Sequence, residues 1–225
     1  MAKTVLITGA NRGLGASLAT AFSKQGFDLI LCCRGKERPY VGDIHCDVIE
    51  GDLIKDGLVF SAILKLLEKK RIDILINNAG LYYCGNYLDT PFNIMRDIID
   101  TNLLVPLKLT AMLWPHLSMN KGTVININSV AGRIGSSREL IYSVSKFGLT
   151  GFSKTLACDG KRDNVRVIDI PFGAMKTGMT CNRKDWNNYP ETNEVADLVI
   201  DIYNNGPKNI KHAVIQGEIF DSLSL

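Results

Sequence analysis

The sequence lacks most of the features that commit a chain to a membrane, to nucleic acid or to an oxidising compartment. No apolar run reaches the roughly 18–20 residues that a membrane-spanning helix needs, so no membrane partner is expected. Lys and Arg form no long block, the longest being Lys69-Lys70-Arg71, and the formal net charge is only +3. A phosphate backbone is bound by concentrated positive charge, so nucleic acid is not expected as a partner either. The apolar stretch Val5–Ile7 behind Lys3 has neither the length nor the cleavage site of a secretory signal, which predicts a cytoplasmic protein. The six cysteines, Cys32, Cys33, Cys46, Cys84, Cys158 and Cys181, contain no CxxC pair. Neither a disulfide framework nor a zinc spacing is indicated; all six are expected as reduced thiols, with no metal site. Histidine is scarce, and His45, His116 and His212, like Trp114 and Trp186, have no motif around them. Linkers, repeats and low-complexity segments are also missing, which leaves one domain spanning residues 1–225.

What the chain does have is alternation. Short Val- and Ile-rich runs at Thr4–Thr8, Leu29–Cys33, Ile44–Cys46, Ile72–Asn77, Val124–Asn128, Val165–Ile170 and Ala213–Gln216 read as strands. They show little period-two patterning, as expected of strands buried on both faces. Between them, Gly13–Gln25, Leu53–Lys70, Phe92–Leu117, Glu139–Arg162 and Glu191–Asn204 carry a helical period, with Pro106 and Pro115 expected to kink or split the third. Strand and helix in turn along the whole chain predict an α/β fold. The expected form is a single Rossmann-like doubly wound domain, with a parallel sheet of about seven strands covered by helices on both faces.

The first strand runs directly into Thr8-Gly-Ala-Asn-Arg-Gly-Leu-Gly15 and then a helix. A helix N-terminus offers unpaired N–H groups and partial positive charge, and glycines let the backbone approach a pyrophosphate. The spacing is GxxxGxG, not GxGxxG, so the turn alone is modest evidence. Nicotinamide folds that use NAD place an acid after the second strand to hold the ribose hydroxyls. Here Cys33-Arg34 stands in that place, and Arg34 with Arg12 would suit a 2′-phosphate through guanidinium forks. NADP (NADPH) is therefore favoured over NAD, although Glu37 nearby keeps NAD open.

Further along, Tyr142-Ser-Val-Ser-Lys146 lies in a helical stretch, where residues four apart share a face. A tyrosine near pKa 10 exchanges protons poorly at neutrality, and a lysine beside it favours the phenolate. By itself this pair is also what an ordinary helix surface offers.

Taken in order, these motifs resemble the short-chain dehydrogenase/reductase family in its single-domain branch, over nearly the whole chain. The glycine turn is similar to that family's cofactor loop, with Gly9, Gly13 and Gly15 in place and Asn11, Arg12 and Leu14 between them. Asn77-Asn78-Ala79-Gly80 follows the fourth strand as the family's tetrapeptide does, and Asp47-Val48 looks like its adenine contact after the third strand. Asn102 stands where the family has a structural asparagine on a helix, and Ser129 follows the fifth strand, 13 residues before Tyr142. The resemblance implies that Tyr142 is the proton donor or acceptor and that Ser129 holds the substrate oxygen. It implies that Lys146 binds the nicotinamide ribose and tunes Tyr142, and that Asn102 anchors a water relay. It further implies NAD(P)-dependent interconversion of a ketone or aldehyde and an alcohol, with a small carbonyl or alcohol substrate and a homodimer or homotetramer.

Two stretches depart from the family pattern. Residues 35–46 leave little room for a helix, with Pro39 and Gly42 among them, and are expected to form a loop. After the sixth strand, Pro171-Phe-Gly173 carries one extra residue, so Gly173 and Thr177 are the expected nicotinamide contacts in a shifted register. A short substrate lid is expected over residues 177–193, and Met175, Met179 and Trp186 hint at an apolar pocket. Two other readings stand beside the leading one. A nucleotide-sensing regulator would have no need of Ser129, Tyr142 and Lys146, and an NAD-retaining epimerase or dehydratase would carry a larger C-terminal region.

Overall fold

The computed structural model describes residues 2–35, 46–55, 57–135 and 138–206. Six strands form one parallel sheet: β1 (Thr4–Thr8), β2 (Asp28–Cys33), β3 (Cys46–Glu50), β4 (Ile74–Asn77), β5 (Thr123–Ser129) and β6 (Arg166–Phe172). Their order is β3-β2-β1-β4-β5-β6, the doubly wound arrangement predicted from the alternation. The candidate strand Ala213–Gln216, the expected loop with Pro39 and Gly42, and Glu37 lie outside the described residues.

The central strands are near-continuously apolar because both faces are covered. On one face α1 (Gly13–Lys24) and α6 (Thr192–Asn205) pack over Val5, Ile7, Leu29, Leu31, Ile74, Ile76, Ile125 and Ile168. On the other, α2 (Gly57–Leu67) and α4 (Val105–Asn120) pack over Leu6, Ile30, Leu75 and Val124, with Leu156 of α5 (Leu140–Asp163) added at the rim. Among the described residues, no helix is long and apolar enough to cross a membrane.

The third helical stretch does divide, and the irregular turn lies directly before Pro106, not at Pro115. α3 (Phe92–Ile99) passes into a π turn at Asp100–Leu104, which runs directly into the first turn of α4, where Pro106 stands. Pro115 lies inside α4. Strand boundaries also shifted. β3 begins where the sequence ended the strand, at Cys46, because its residues are only half-buried and its acids Asp47 and Glu50 interrupt an apolar signal. β6 extends through Pro171 and Phe172, with Pro171 paired against Asn128.

The two layers predict how substitutions divide. Leu109→Ala, at a fully buried position in α4, should cost about 2–5 kcal/mol through lost burial and the cavity left behind. Met119→Ala, 81% exposed on the same helix, should stay within about 0.5 kcal/mol. Urea unfolding midpoints of the two variants check the contrast.

Candidate functional site

The strands end together at one edge of the sheet, and β1 and β4 are neighbours whose connections leave in opposite directions. A crevice opens at such a switch point. Its wall is built from backbone held close. The Thr8 hydroxyl accepts the N–H groups of Asn78 and Ala79, each at 3.0 Å, while Asn78 Nδ2 donates to the Thr8 and Gly9 carbonyls at 2.8 and 3.3 Å. This closeness explains the glycines. A Cβ on Gly15 would lie 2.1 Å from the Gly9 carbonyl oxygen, and one on Gly9, at φ +65°, would lie 2.9 Å from Ala79 Cα. Arg12 is the N-cap of α1 and supplies no side-chain cap, so the first turn presents its N–H groups to the crevice. Asn11 and Leu14 belong to the same turn, Leu14 buried in the core and Arg12 exposed. Thr177, beyond β6, comes to 3.5 Å from where a Gly13 Cβ would be, so the chain after Gly173 closes over the glycine turn despite the extra residue at Phe172.

At the end of β2, Arg34 is exposed and faces Asp52 at 3.8 Å. Asp47 and Val48 are not at this edge. Both lie within β3, Asp47 paired in register with Ile30, and its carboxylate bonds to Lys70, which precedes β4 at the opposite edge of the sheet. The residues that follow β3 at the crevice are Gly51, Asp52 and Leu53. Sequence reasoning missed Asp52, and the signal was present: it is an Asp-Leu pair close after an apolar strand, overlooked because β3 was placed too early.

Across β4 from the glycine turn, β5 delivers Ser129 as its last residue, not beyond its end. The Ser129 hydroxyl accepts from Ala131 N–H and donates to the Tyr142 phenol oxygen. One turn further along α5, Lys146 points inward and donates to the Ile127 carbonyl at 2.9 Å. Its Nζ lies 5.8 Å from the centre of the Tyr142 ring. Burial drives the Lys146 pKa down to about 8, partly opposed by the Asp169 carboxylate. The Tyr142 pKa is raised, first by burial; the Ser129 hydrogen bond works the other way. Desolvation of the phenol outweighs the hydrogen bond and the charges that act on it.

Asn102 sits in the π turn and is buried. Its Oδ1 accepts Leu81 N–H at 2.7 Å, and its Nδ2 donates to Leu81 carbonyl at 2.9 Å and Ser145 Oγ at 3.0 Å. Ser145 in turn donates to the Tyr142 carbonyl at 2.6 Å. Both amide hydrogens of Asn102 are committed, while its Oδ1, with one bond from Leu81, keeps a second lone pair. What Asn102 does is fix the loop after Gly80 to the turn of α5 that carries Tyr142 and Lys146. Behind these, Asn126, Asn128, Ser153, Thr150 and Asp169 form a buried polar web, with Asn128 Nδ2 bridging Thr150 and Asp169 at 2.9 Å each.

Over Tyr142 lies a group that the sequence did not single out. The Tyr82 ring meets the Tyr142 ring edge-on at 5.1 Å, and its hydroxyl donates to Glu139 at 2.5 Å. Arg183, from the chain beyond β6, donates to both Glu139 and the Tyr82 oxygen. The apolar lining suggested by the methionines is not what is found. Met175 packs into the core between the sheet and α1 and α6, while Met179 is exposed.

The comparisons with known proteins agree with this arrangement. The family model for short chain dehydrogenases matches residues 3–188. L-fucose dehydrogenase of Rattus norvegicus is 33% identical over 184 residues, 78% of this chain and 67% of that protein. The solved structure of a 4-hydroxyisoleucine dehydrogenase complexed with NADH superposes with a TM-score of 0.83 at 25% identity, covering 95% of this chain and 96% of that one. An alcohol dehydrogenase from the archaeon Thermococcus sibiricus, complexed with 5-hydroxy-NADP, shares the fold at a TM-score of 0.84 and 21% identity, over 96% of each chain. The chain belongs to the short-chain dehydrogenase family and is an oxidoreductase of its alcohol-and-carbonyl, nicotinamide-using kind.

Lys146 gives the site a measurable signature without any ligand. Its folded pKa of about 8 lies below the ordinary 10.5. Below the lower value both folded and unfolded chains hold the proton, and burial of the ammonium costs stability in full. As pH rises between the two values the unfolded chain holds more protons, so that cost is relieved. Lys146→Met should therefore exceed wild type in stability by roughly 3 kcal/mol near neutral pH. In urea unfolding, the gap should shrink steadily as pH rises from about 8 to 10.5.

Proposed function

We propose that this member of the short-chain dehydrogenase family reduces a ketone or aldehyde with NADPH, or runs the reverse oxidation of an alcohol, with Tyr142 as the acid–base group. The observation that carries the reading is the convergence of Ser129, Tyr142 and Lys146 beside the glycine turn, at the edge where strands end.

The residues present fit a dinucleotide. The uncapped first turn of α1 suits a pyrophosphate, and the Gly9–Gly15 crevice is closed to any side chain, which leaves backbone as the contact. Gly13, Asn78, Ala79 and Gly80 line the same crevice, and Gly173, Thr177 and Pro171 are the proposed nicotinamide side. Asp52 and Leu53 replace Asp47 and Val48 as the adenine contacts. Of the three Lys146 ammonium hydrogens, one goes to Ile127, and the other two are available for ribose hydroxyls. When bound, the nicotinamide supplies or takes up the hydride.

The protein's part is the proton and the field. The Tyr142 phenol donates its proton to the substrate oxygen as that oxygen becomes negative, and Ser129 donates a hydrogen bond to the same atom. The Lys146 ammonium, held by Ile127, stabilises the phenolate that Tyr142 becomes. Asn102 is a positioning residue, acting through Ser145 on the turn that carries Tyr142. A sensor that only binds nucleotide would need none of these groups. Arg12 in the glycine turn and Arg34 at the end of β2, both exposed, support NADPH; Asp52 beside Arg34 weakens that preference. The exposed Leu104 of the π turn and the exposed Val144 and Phe147 of α5 support a homo-oligomer.

The test is consumption of NADPH and NADH against a panel of ketones, quinones and aldehydes. Tyr142→Phe should lose at least about 100-fold in kcat/KM, the scale of a general acid, while NADPH binding followed by fluorescence is retained. Equal turnover by wild type and Tyr142→Phe would remove the mechanism. Replacing both arginines, as Arg12→Ala with Arg34→Ala, should lower the NADPH-to-NADH ratio of kcat/KM by about 100-fold, two charge-assisted phosphate contacts being lost.

A further inference from the structure

The Tyr82–Glu139–Arg183 cluster is not explained by cofactor binding or by the proton transfer. Glu139 is 8% exposed, an unusual position for a carboxylate, and its charge is met by a guanidinium from a separate segment 44 residues away. Tyr82 donates to the same Oε1 atom at 2.5 Å, and Arg183 lies 2.7 Å from it. Burial and then the Glu139 hydrogen bond push the Tyr82 pKa up to about 12, so Tyr82 stays a neutral donor. The backbone beside the cluster is strained: Arg138 takes φ +64°, and its carbonyl accepts Gly85 N–H at 2.8 Å, tying the Tyr82 loop to the Glu139 segment. Such strain persists only where surrounding contacts fix it, and it collects at functional sites.

The cluster also borders the acid–base group. The Tyr82 ring stands 5.1 Å from that of Tyr142, and the Glu139 and Arg183 charges both act on the Tyr142 phenol, so a carbonyl taken up at Tyr142 brings its substituents toward the cluster. An alkyl group there would cover Glu139 and Arg183 without satisfying either. A substrate carboxylate would meet the Glu139 charge, with Arg183 already neutralised by it. A hydroxyl can donate to the carboxylate and accept from the guanidinium, whose N–H groups outnumber the two bonds made by Arg183 Nη2.

We propose that Tyr82, Glu139 and Arg183 form the specificity-determining wall of this active site, selecting uncharged substrates that carry a hydroxyl on the carbon next to the reacting one. The inference rests on the oxidoreductase reading above and adds a substrate class to it: α-hydroxy ketones and the vicinal diols they yield. Sites built to hydrogen-bond a substrate hydroxyl reject analogues that lack it by on the order of 10⁴-fold when fully enclosed. Because the Arg183 side chain is 39% exposed, a smaller preference of about 100-fold is expected here.

The experiment pairs substrates of equal shape: hydroxyacetone with butanone, and 2-hydroxycyclohexanone with 2-methylcyclohexanone, under NADPH, with pyruvate as the charged arm. Wild type should favour each hydroxyl-bearing member by about 100-fold in kcat/KM and should disfavour pyruvate. Glu139→Gln, and independently Arg183→Met, should bring both ratios down at least tenfold, chiefly by raising KM for the hydroxyl-bearing member; a merely structural loss would lower both members of a pair alike. Should Glu139→Gln fail to fold, Arg183→Met on the exposed segment carries the test. Calorimetric binding of cyclohexane-1,2-diol to the NADPH complex gives a readout free of turnover, and Glu139→Gln should weaken it at least tenfold. Ratios near one in wild type, ratios unchanged in the variants, or preference for pyruvate would overturn the assignment. If no carbonyl compound is reduced but the diol binds in a Glu139-dependent way, the specificity wall stands and the acid–base reading falls.

Discussion

Everything at the crevice depends on the Thr8 hydroxyl. β1 and β4 are joined by register for only three residue pairs, Val5 with Ile74 through Ile7 with Ile76, and beyond them the ladder ends. Thr8 continues the connection by side chain, taking two backbone N–H groups from Asn78 and Ala79 while Asn78 returns its amide to the β1 carbonyls. Two loops that would otherwise splay around the switch point are held within contact. The glycines follow from that closeness, and the exposed helix N-terminus follows from the turn they allow. Cofactor geometry here is a consequence of how two strand ends are fastened.

The active-site side chains rest on a second fastening, more polar than a sheet–helix contact usually is. β5 turns Ile125 and Ile127 toward one apolar layer and Asn126 and Asn128 toward α5, where Ser153 and Thr150, with Asp169 of β6, complete their hydrogen bonds. A fully satisfied buried web of this kind fixes the rotation and height of a helix in a way that interchangeable apolar contacts do not. The burial that supports it also sets the chemistry. It holds Lys146 close to losing its proton near neutrality and makes the phenol of Tyr142 a reluctant acid until a substrate oxygen is there to receive it.

Much of this was legible in the sequence because it is local. The glycine turn, the NNAG tetrapeptide and the Tyr142–Lys146 spacing each declare themselves within a few residues, and the doubly wound parallel sheet follows from alternation and handedness. Asp47 was misassigned because the edge it occupies depends on where β3 pairs with β2, a tertiary fact. Half-buried β3 also hid its extent behind acids that look like loop residues. Glu139 and Arg183 carried no signal at all: charged residues in irregular segments, 44 positions apart, are indistinguishable in sequence from solvated ones. The site residues that motifs reveal are those whose partners are near in the chain.

The π turn at Asp100–Leu104 acts as a phase shifter between two helices that share one axis of sequence. One residue beyond the α-helical count rotates everything after it by about 100° relative to what precedes it. That offset is what turns Asn102 toward Leu81 and Ser145 while α4 still lays Leu109, Leu113 and Leu117 on the sheet. Length at this point is therefore information. A chain shortened by one residue here would close the π turn to an α turn and withdraw the register in which Asn102 reaches Leu81 and Ser145, while the helices on either side keep their own faces.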